Sequence, residues 1–418
     1  MTAVIERPAA PPVRAPWRDR VRRAAIWAAL VFVTLAVVRQ VTGANALTSA
    51  GTVNDAIGLA VPIGLAALGG LFSERAGVVN IGLEGMMIFG TWFAGWAGYQ
   101  WGPWAAVLGG IAGGALFGLV HALATVTFGV DHIISGVAIN IIAVGATRYL
   151  SSRFFLGRED GGVNQSPSVP LIGRVGVPGA GGPLGTLEGK HWFLVSDLAG
   201  LLRGLFTDVS LLTILAVLLV PAAFWLLWRT GFGLRLRSVG ESPVAAESLG
   251  VPVYTMKYAG VVISGALAGL GGAFLVTVYD GKFLENQTGG RGFIGLAAMI
   301  FGNWRPGGLA AGSALFGYTD SLRLREGSAA VHALLLFAAI LLAILAIRAG
   351  VTRRWIPAGA LAVAAVGFGV VFAVTDQVPA VLTPLVPYAV TLVVLALAAK
   401  RLRMPAADGL RYRKGETG

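Results

Sequence analysis

The chain of 418 residues contains no cysteine. Disulfide scaffolds, thiolate zinc sites, iron–sulfur clusters and cysteine nucleophiles are excluded together. Four histidines, His121, His132, His191 and His332, leave little room for a histidine-rich metal site. Charge is scarce too: 12% of residues are charged, against about 25% in an ordinary soluble domain. No G-x-x-x-x-G-K-S/T, G-x-S-x-G or H-E-x-x-H stretch occurs. The chain therefore shows no means of its own to hydrolyse ATP or to do covalent chemistry.

What it has instead is apolar length. Hydrophobic residues make up 56% of the chain, too much apolar surface to leave hydrated in a disordered state. The net charge of +12 does not point to nucleic acid, because the basic residues sit in short clusters between long apolar runs. A membrane span needs about 20 mostly apolar residues. Candidate spans are 24–41, 53–72, 78–98, 104–130, 132–150, 209–228, 258–279, 329–347, 356–374 and 381–399, with a short Gly-rich pair at 292–302 and 308–318. The expected fold is all-α, a polytopic integral membrane protein of roughly 10–12 spans. Residues 1–23 read as a polar, Arg-rich tail before an uncleaved first span, not as a secretory signal.

Lys and Arg set the orientation. With the N-terminus cytoplasmic, 21 of the 32 basic residues fall in inside segments and five in short outside segments. Both termini, 1–23 and 400–418, are then expected inside, and the polar stretch 151–208 outside. Trp96, Tyr99, Trp101 and Trp104 gather at an expected outer turn, and Trp225 and Trp228 at an inner end, as interfacial belts do.

Residues 81–90 read IGLEGMMIFG and residues 294–302 read IGLAAMIFG. The expected topology runs them in opposite directions, the pattern of two related halves with a site between them. Around the first copy, Glu74 and Arg75 form a neutralising pair. Asn80 and Glu84 are four apart and would share a helix face. A carboxylate facing lipid is costly, so Glu84 should face the bundle interior or water. Asn80 and Glu84 either line a solute path or hold a broken helix. Asn140, mid-span, makes either an interhelical bond or a solute contact, and Asp131 is placed to cap the helix that follows it.

The loop 229–257 is the one long inside segment within the bundle. Gly231 and Gly233 break the preceding span. Ser242 is placed to cap a short helix opened by Pro243 and stopped by Gly250. A short capped helix across the cytoplasmic face reads as a docking element. If the chain moves a solute uphill, its energy comes from a partner or an ion gradient.

SERAGVVNIGLEGMM, GLRLRSVGESPVAAESLGV and GRGFIGLAAMIFGNWRPGG together resemble the membrane permease of bacterial ABC importers in the ribose/branched-chain amino acid group. The likeness is strongest to the nucleoside, basic membrane lipoprotein-dependent branch, and covers about residues 54–350. It implies a permease domain at 24–350, with an extracellular insert at 151–208 and a coupling loop at 229–257. The spans at 351–399 are additional to it. The implied partners are an ABC ATPase subunit that carries the ATP and magnesium, a second related permease subunit and an extracellular substrate-binding lipoprotein. This chain itself would need no cofactor. The implied location is the bacterial cytoplasmic membrane. The coupling residues implied are Gly240, Glu241, Pro243, Ala245, Ala246, Glu247 and Gly250, and the solute path is expected at Asn80, Glu84 and Asn140. A sugar importer, or an ion-coupled secondary transporter using Glu84 and Asp131, is the alternative reading.

Overall fold

A computed structural model describes residues 17–379, 381–385 and 402–415. Of the described residues, 74% are helical. In order, the helices are α1 (Trp17–Thr42), α2 (Ala50–Arg75), α3 (Leu83–Trp101), α4 (Pro103–Ala122), α5 (His132–Phe154), α6 (Gly181–Gly189), α7 (Val195–Phe206) and α8 (Leu211–Arg229). They continue as α9 (Gly231–Glu241), α10 (Pro243–Ser248), α11 (Val253–Phe274), α12 (Arg291–Phe301), α13 (Pro306–Arg325), α14 (Ser328–Val351) and α15 (Trp355–Val374). Single π-helical turns extend α4 (Leu123–Thr127) and α11 (Leu275–Asp280). Two-residue strands β1 (Arg174–Val175) and β2 (Val209–Ser210) pair antiparallel.

Eight helices among the described residues are long and apolar enough to cross a membrane: α1, α2, α4, α5, α8, α11, α14 and α15. The expected span 381–399 falls largely outside the described residues. The short pair resolves unequally: α12 has 11 residues, whereas α13 has 20.

Local chemistry starts the helices. Ser49 accepts from Thr52 N, Asp131 from Ile133 N and Ile134 N, and Ser210 from Leu212 N, each answering an N–H that the first turn leaves free. Proline opens α4, α10 and α13, where its missing N–H costs nothing.

The core is α2, almost wholly buried, and the pair α4 and α11. The last two cross through glycine. A Cβ on Gly269 would land on the Gly110 carbonyl, one on Gly114 on the Gly265 carbonyl, and one on Gly118 would lie 2.8 Å from Val261 O. Gly110, Gly114 and Gly118 repeat every fourth residue, as do Gly265 and Gly269, so each helix turns a bare backbone stripe to the other.

The insert 151–208 is packed down rather than loose. Asp197 on α7 pairs with Arg39 at 2.7 Å and accepts from Thr48 Oγ1 at 2.6 Å. Glu188 accepts from Ala50 N at 2.8 Å. Phe283 N donates to Ser166 Oγ and Glu285 N to Asn164 O. The insert thus ties together the end of α1, the start of α2 and the segment after α11.

Two expectations change. The span expected from Val78 begins at Leu83, because residues 76–82 are unwound. Gly77 has φ +78°, which takes the chain out of the helix. Asn80 therefore does not lie on a helix, and Asn80 and Glu84 do not share a helix face. Second, Gly231 and Gly233 do more than end α8. Thr230 is extended and caps a new helix, α9, through Gly233 N.

Candidate functional site

Unwound backbone inside an apolar bundle needs a partner for each polar group. The N–H groups of Ala76, Gly77 and Val78 return to carbonyls at the end of α2, and several other groups of residues 76–82 meet side chains. Ser73 Oγ donates to Val78 O at 2.6 Å and Lys257 Nζ to Gly77 O at 3.0 Å. Val79 N donates to His132 Nδ1 at 3.3 Å, and Val79 O lies 3.1 Å from His121 Nε2. Asn140 Nδ2 donates to Ile81 O at 3.0 Å, while its Oδ1 accepts from Gly85 N at 2.7 Å. Asn80 is fully buried, and its Nδ2 donates to Ser264 Oγ on α11 at 2.9 Å.

Glu84, in the first turn of α3, faces the start of α12. Its carboxylate accepts from Thr288 Oγ1 at 2.7 Å, Gly290 N at 2.9 Å and Gly292 N at 2.6 Å. A negative group at a helix N-terminus satisfies free N–H groups and complements the dipole. Gly292 is needed here, since a Cβ would sit 2.5 Å from Glu84 N. Along α2, Gly70 neighbours Leu83 and Met299, whereas Ala66 neighbours Met87 and Gly295. So α3 runs antiparallel to α2, and α12 parallel to it. The two echo sequences begin helices of opposite direction whose N-terminal ends meet at Glu84.

The structure thus gathers Asn80, Glu84 and Asn140 around the start of α3. Pattern reading missed His121, His132, Lys257, Ser264 and Thr288, which hold the same junction. The available signal was their polarity within otherwise apolar spans.

A second group lies on the face where α2 ends. Glu74 accepts from Trp304 Nε1 at 2.5 Å, and Arg75 Nη2 donates to Trp304 O at 2.8 Å. Arg75 also lies 3.6 Å from Glu241, and both Arg75 and Arg237 lie over the Trp228 ring. Gly240 packs against the Arg75 carbonyl, where no Cβ fits. Pro243 opens α10, but the Ser242 side chain makes no capping bond, contrary to expectation. With Pro243 fixing the first turn and supplying no N–H, the helix forms without that bond. Gly250, at φ +79°, turns the chain out of α10. Ala246 is buried with Val239, Val253 and Met256. Ala245 and Glu241 are exposed, Glu247 is half-buried, and Leu249 stands out at 84% exposure.

Comparison with known proteins identifies the family. Residues 52–345 match the family described as "Branched-chain amino acid transport system / permease component". The guanosine ABC transporter permease protein NupQ of Bacillus subtilis is 40% identical over 273 residues, covering 63% of this chain and 79% of the relative. The nucleoside ABC transporter permease protein NupC of Lactococcus lactis is 34% identical over 363 residues, 85% of this chain and 94% of the relative. A putative glucose ABC transporter permease protein, TsgC13 of Haloferax volcanii, is 34% identical over 286 residues, 67% of this chain and 79% of the relative. No solved structure gives a significant match. A polytopic helical bundle, with helix starts meeting inside it, carries the family's pattern over most of its length: the chain belongs to the branched-chain amino acid transport system permease component family.

Proposed function

We propose that this chain is the membrane permease subunit of an ATP-driven importer for nucleosides, located in the bacterial cytoplasmic membrane. A separate ATPase subunit, carrying ATP and magnesium, docks on α10. A second related permease subunit and an extracellular substrate-binding lipoprotein complete the complex. The carrying observation is α10 itself: a proline-opened, glycine-stopped helix that buries Ala246 and leaves Leu249 84% exposed. Leu249, at the end of this short helix, together with exposed Val244 on it offers an apolar surface for a partner to cover. The nucleoside assignment rests on the names of NupQ and NupC. A sugar is the second reading, favoured by the glucose transporter relative. Competition of unlabelled guanosine and glucose against labelled guanosine uptake separates the two.

The docking test uses Gly250→Trp and Leu249→Glu in the reconstituted complex. Both variants are expected to insert normally and to lose solute-stimulated ATP hydrolysis by about tenfold or more, the loss of one anchoring contact. Normal stimulation in both would remove α10 from the contact with the ATPase.

Both termini are proposed to be cytoplasmic, with the insert outside. The cysteine-free chain makes this directly testable. A Gly182→Cys variant, at an exposed position in α6, should react with an impermeant thiol reagent on intact cells. A Ser248→Cys variant should react only after permeabilisation. The reverse pattern would invert the topology.

A further inference from the structure

Residues 402–415 return to the face that carries α10 and are held there at several points. Ala407 N donates to Gly240 O at 2.9 Å, Ala406 N to Glu241 Oε2 at 3.3 Å and Arg403 N to Asn303 Oδ1 at 2.7 Å. Leu402 packs on the apolar cluster that includes Phe72 and Trp304. Gly409, at φ +78°, lets the backbone approach Val79. The Tyr412 ring lies 5.6 Å from that of Tyr254 and covers the cluster of Val239, Ala246, Val253 and Met256.

Between these points Asp408 is driven inward, to 7% exposure. Its two carboxylate oxygens have no hydrogen-bond partner among the described residues, and the charges of Glu74, Arg75 and Lys257 act on it. Burial first, and the Glu74 carboxyl next, push Asp408 above the ordinary carboxylate range, with Lys257 opposing. Burying a carboxyl without a hydrogen-bond partner is costly, so what holds the segment is its backbone hydrogen bonds and the packing of Leu402 and Tyr412. The segment is therefore a built part of the face.

Its outer side does not stand apart from α10. Tyr412 and Lys414 line one cleft of about 460 Å³ together with Glu247, Gly250 and Tyr254. Leu410 is 60% exposed, as Leu249 is on α10. We propose that the C-terminal segment 402–415 is the second wall of the docking surface, so that the ATPase subunit meets the tail and α10 together. This rests on the reading of α10 as the ATPase contact. It goes beyond it by assigning the tail a share of the interface.

The test separates the placement of the tail, its contact and the underlying reading. In the full chain, cysteines at Tyr254 and Tyr412 should be joined by a short bifunctional thiol reagent, and cysteines at Tyr412 and Gly182 should not. The double variant Leu410→Glu/Lys414→Glu changes outward groups only. It should weaken binding of the purified ATPase subunit by about tenfold, with unchanged thermal unfolding of the permease. Leu249→Glu serves as the reference for α10. If Leu249→Glu weakens binding and the tail variant does not, the inference about the tail is overturned and the docking reading stands. If neither weakens binding, the docking reading fails as well. Absence of the Tyr254–Tyr412 cross-link would also overturn the inference.

Discussion

Replacing Glu84 by alanine is expected to destabilise the protein by about 3 kcal/mol, because two buried donors and one half-buried donor lose their acceptor at about 1–3 kcal/mol each. Gly290 N–H and Gly292 N–H begin α12 and have no earlier turn to bond to. Thr288 is itself buried, so water does not replace the carboxylate. Glu84→Gln keeps one acceptor oxygen but turns an NH₂ toward donors, so its loss should be intermediate. Thermal unfolding in detergent, followed by tryptophan fluorescence, reads the order wild type, Gln, Ala. Uptake per inserted molecule reads the other role considered for Glu84. Unchanged unfolding with lost normalised uptake would place Glu84 on the solute path instead.

The second large effect is expected at the crossing of α4 and α11. In Gly114→Leu, the new Cβ meets the Gly265 carbonyl and would lie 2.7 Å from Gly269 Cα. These are backbone atoms that cannot rotate away, so the helices must separate. Overpacking usually costs about 1–3 kcal/mol. Here the displaced contact is the central one, and about 3 kcal/mol or more is expected from the same source. Gly145→Leu is the control, since Gly145 lies on the exposed side of α5 with nothing within 4 Å of its Cβ position. Monodisperse yield and unfolding temperature should collapse for Gly114→Leu and hold for Gly145→Leu. Equal behaviour of the two would remove the glycine stripe as the reason for the close crossing.

How far the sequence spoke depended on the range of the interactions. Spans with continuous apolar length, such as 211–229 and 328–351, were legible from composition alone. So was the short helix opened by Pro243, because proline and Gly250 act within a few residues. The break at 76–82 was legible only as one alternative, a broken helix held by Asn80 and Glu84, and not in its place or its partners. Apart from Asn80, its residues from Ala76 to Gly82 are apolar or small and extend a helical pattern. What undoes that pattern is Gly77 together with His121, His132, Asn140 and Lys257, side chains 42 to 180 residues away. Glu84 was legible as a carboxylate needing company, but its partners lie 204 to 208 residues on. The glycine spacing on α4 and α11 was visible, yet spacing does not say which stripe meets which. The tail at 402–415 has no periodicity, and only the fold shows where it packs.

The meeting of two helix starts on one side chain has a consequence for the electrostatics of the bundle interior. A bare helix N-terminus in a low-dielectric interior attracts anions. In this protein that attraction is already answered from within, by a carboxylate in the first turn of α3 that also closes the first turn of α12. The positive ends of α3 and α12 and the Glu84 carboxylate answer one another at one point, so removing the carboxylate would leave two helix starts facing each other.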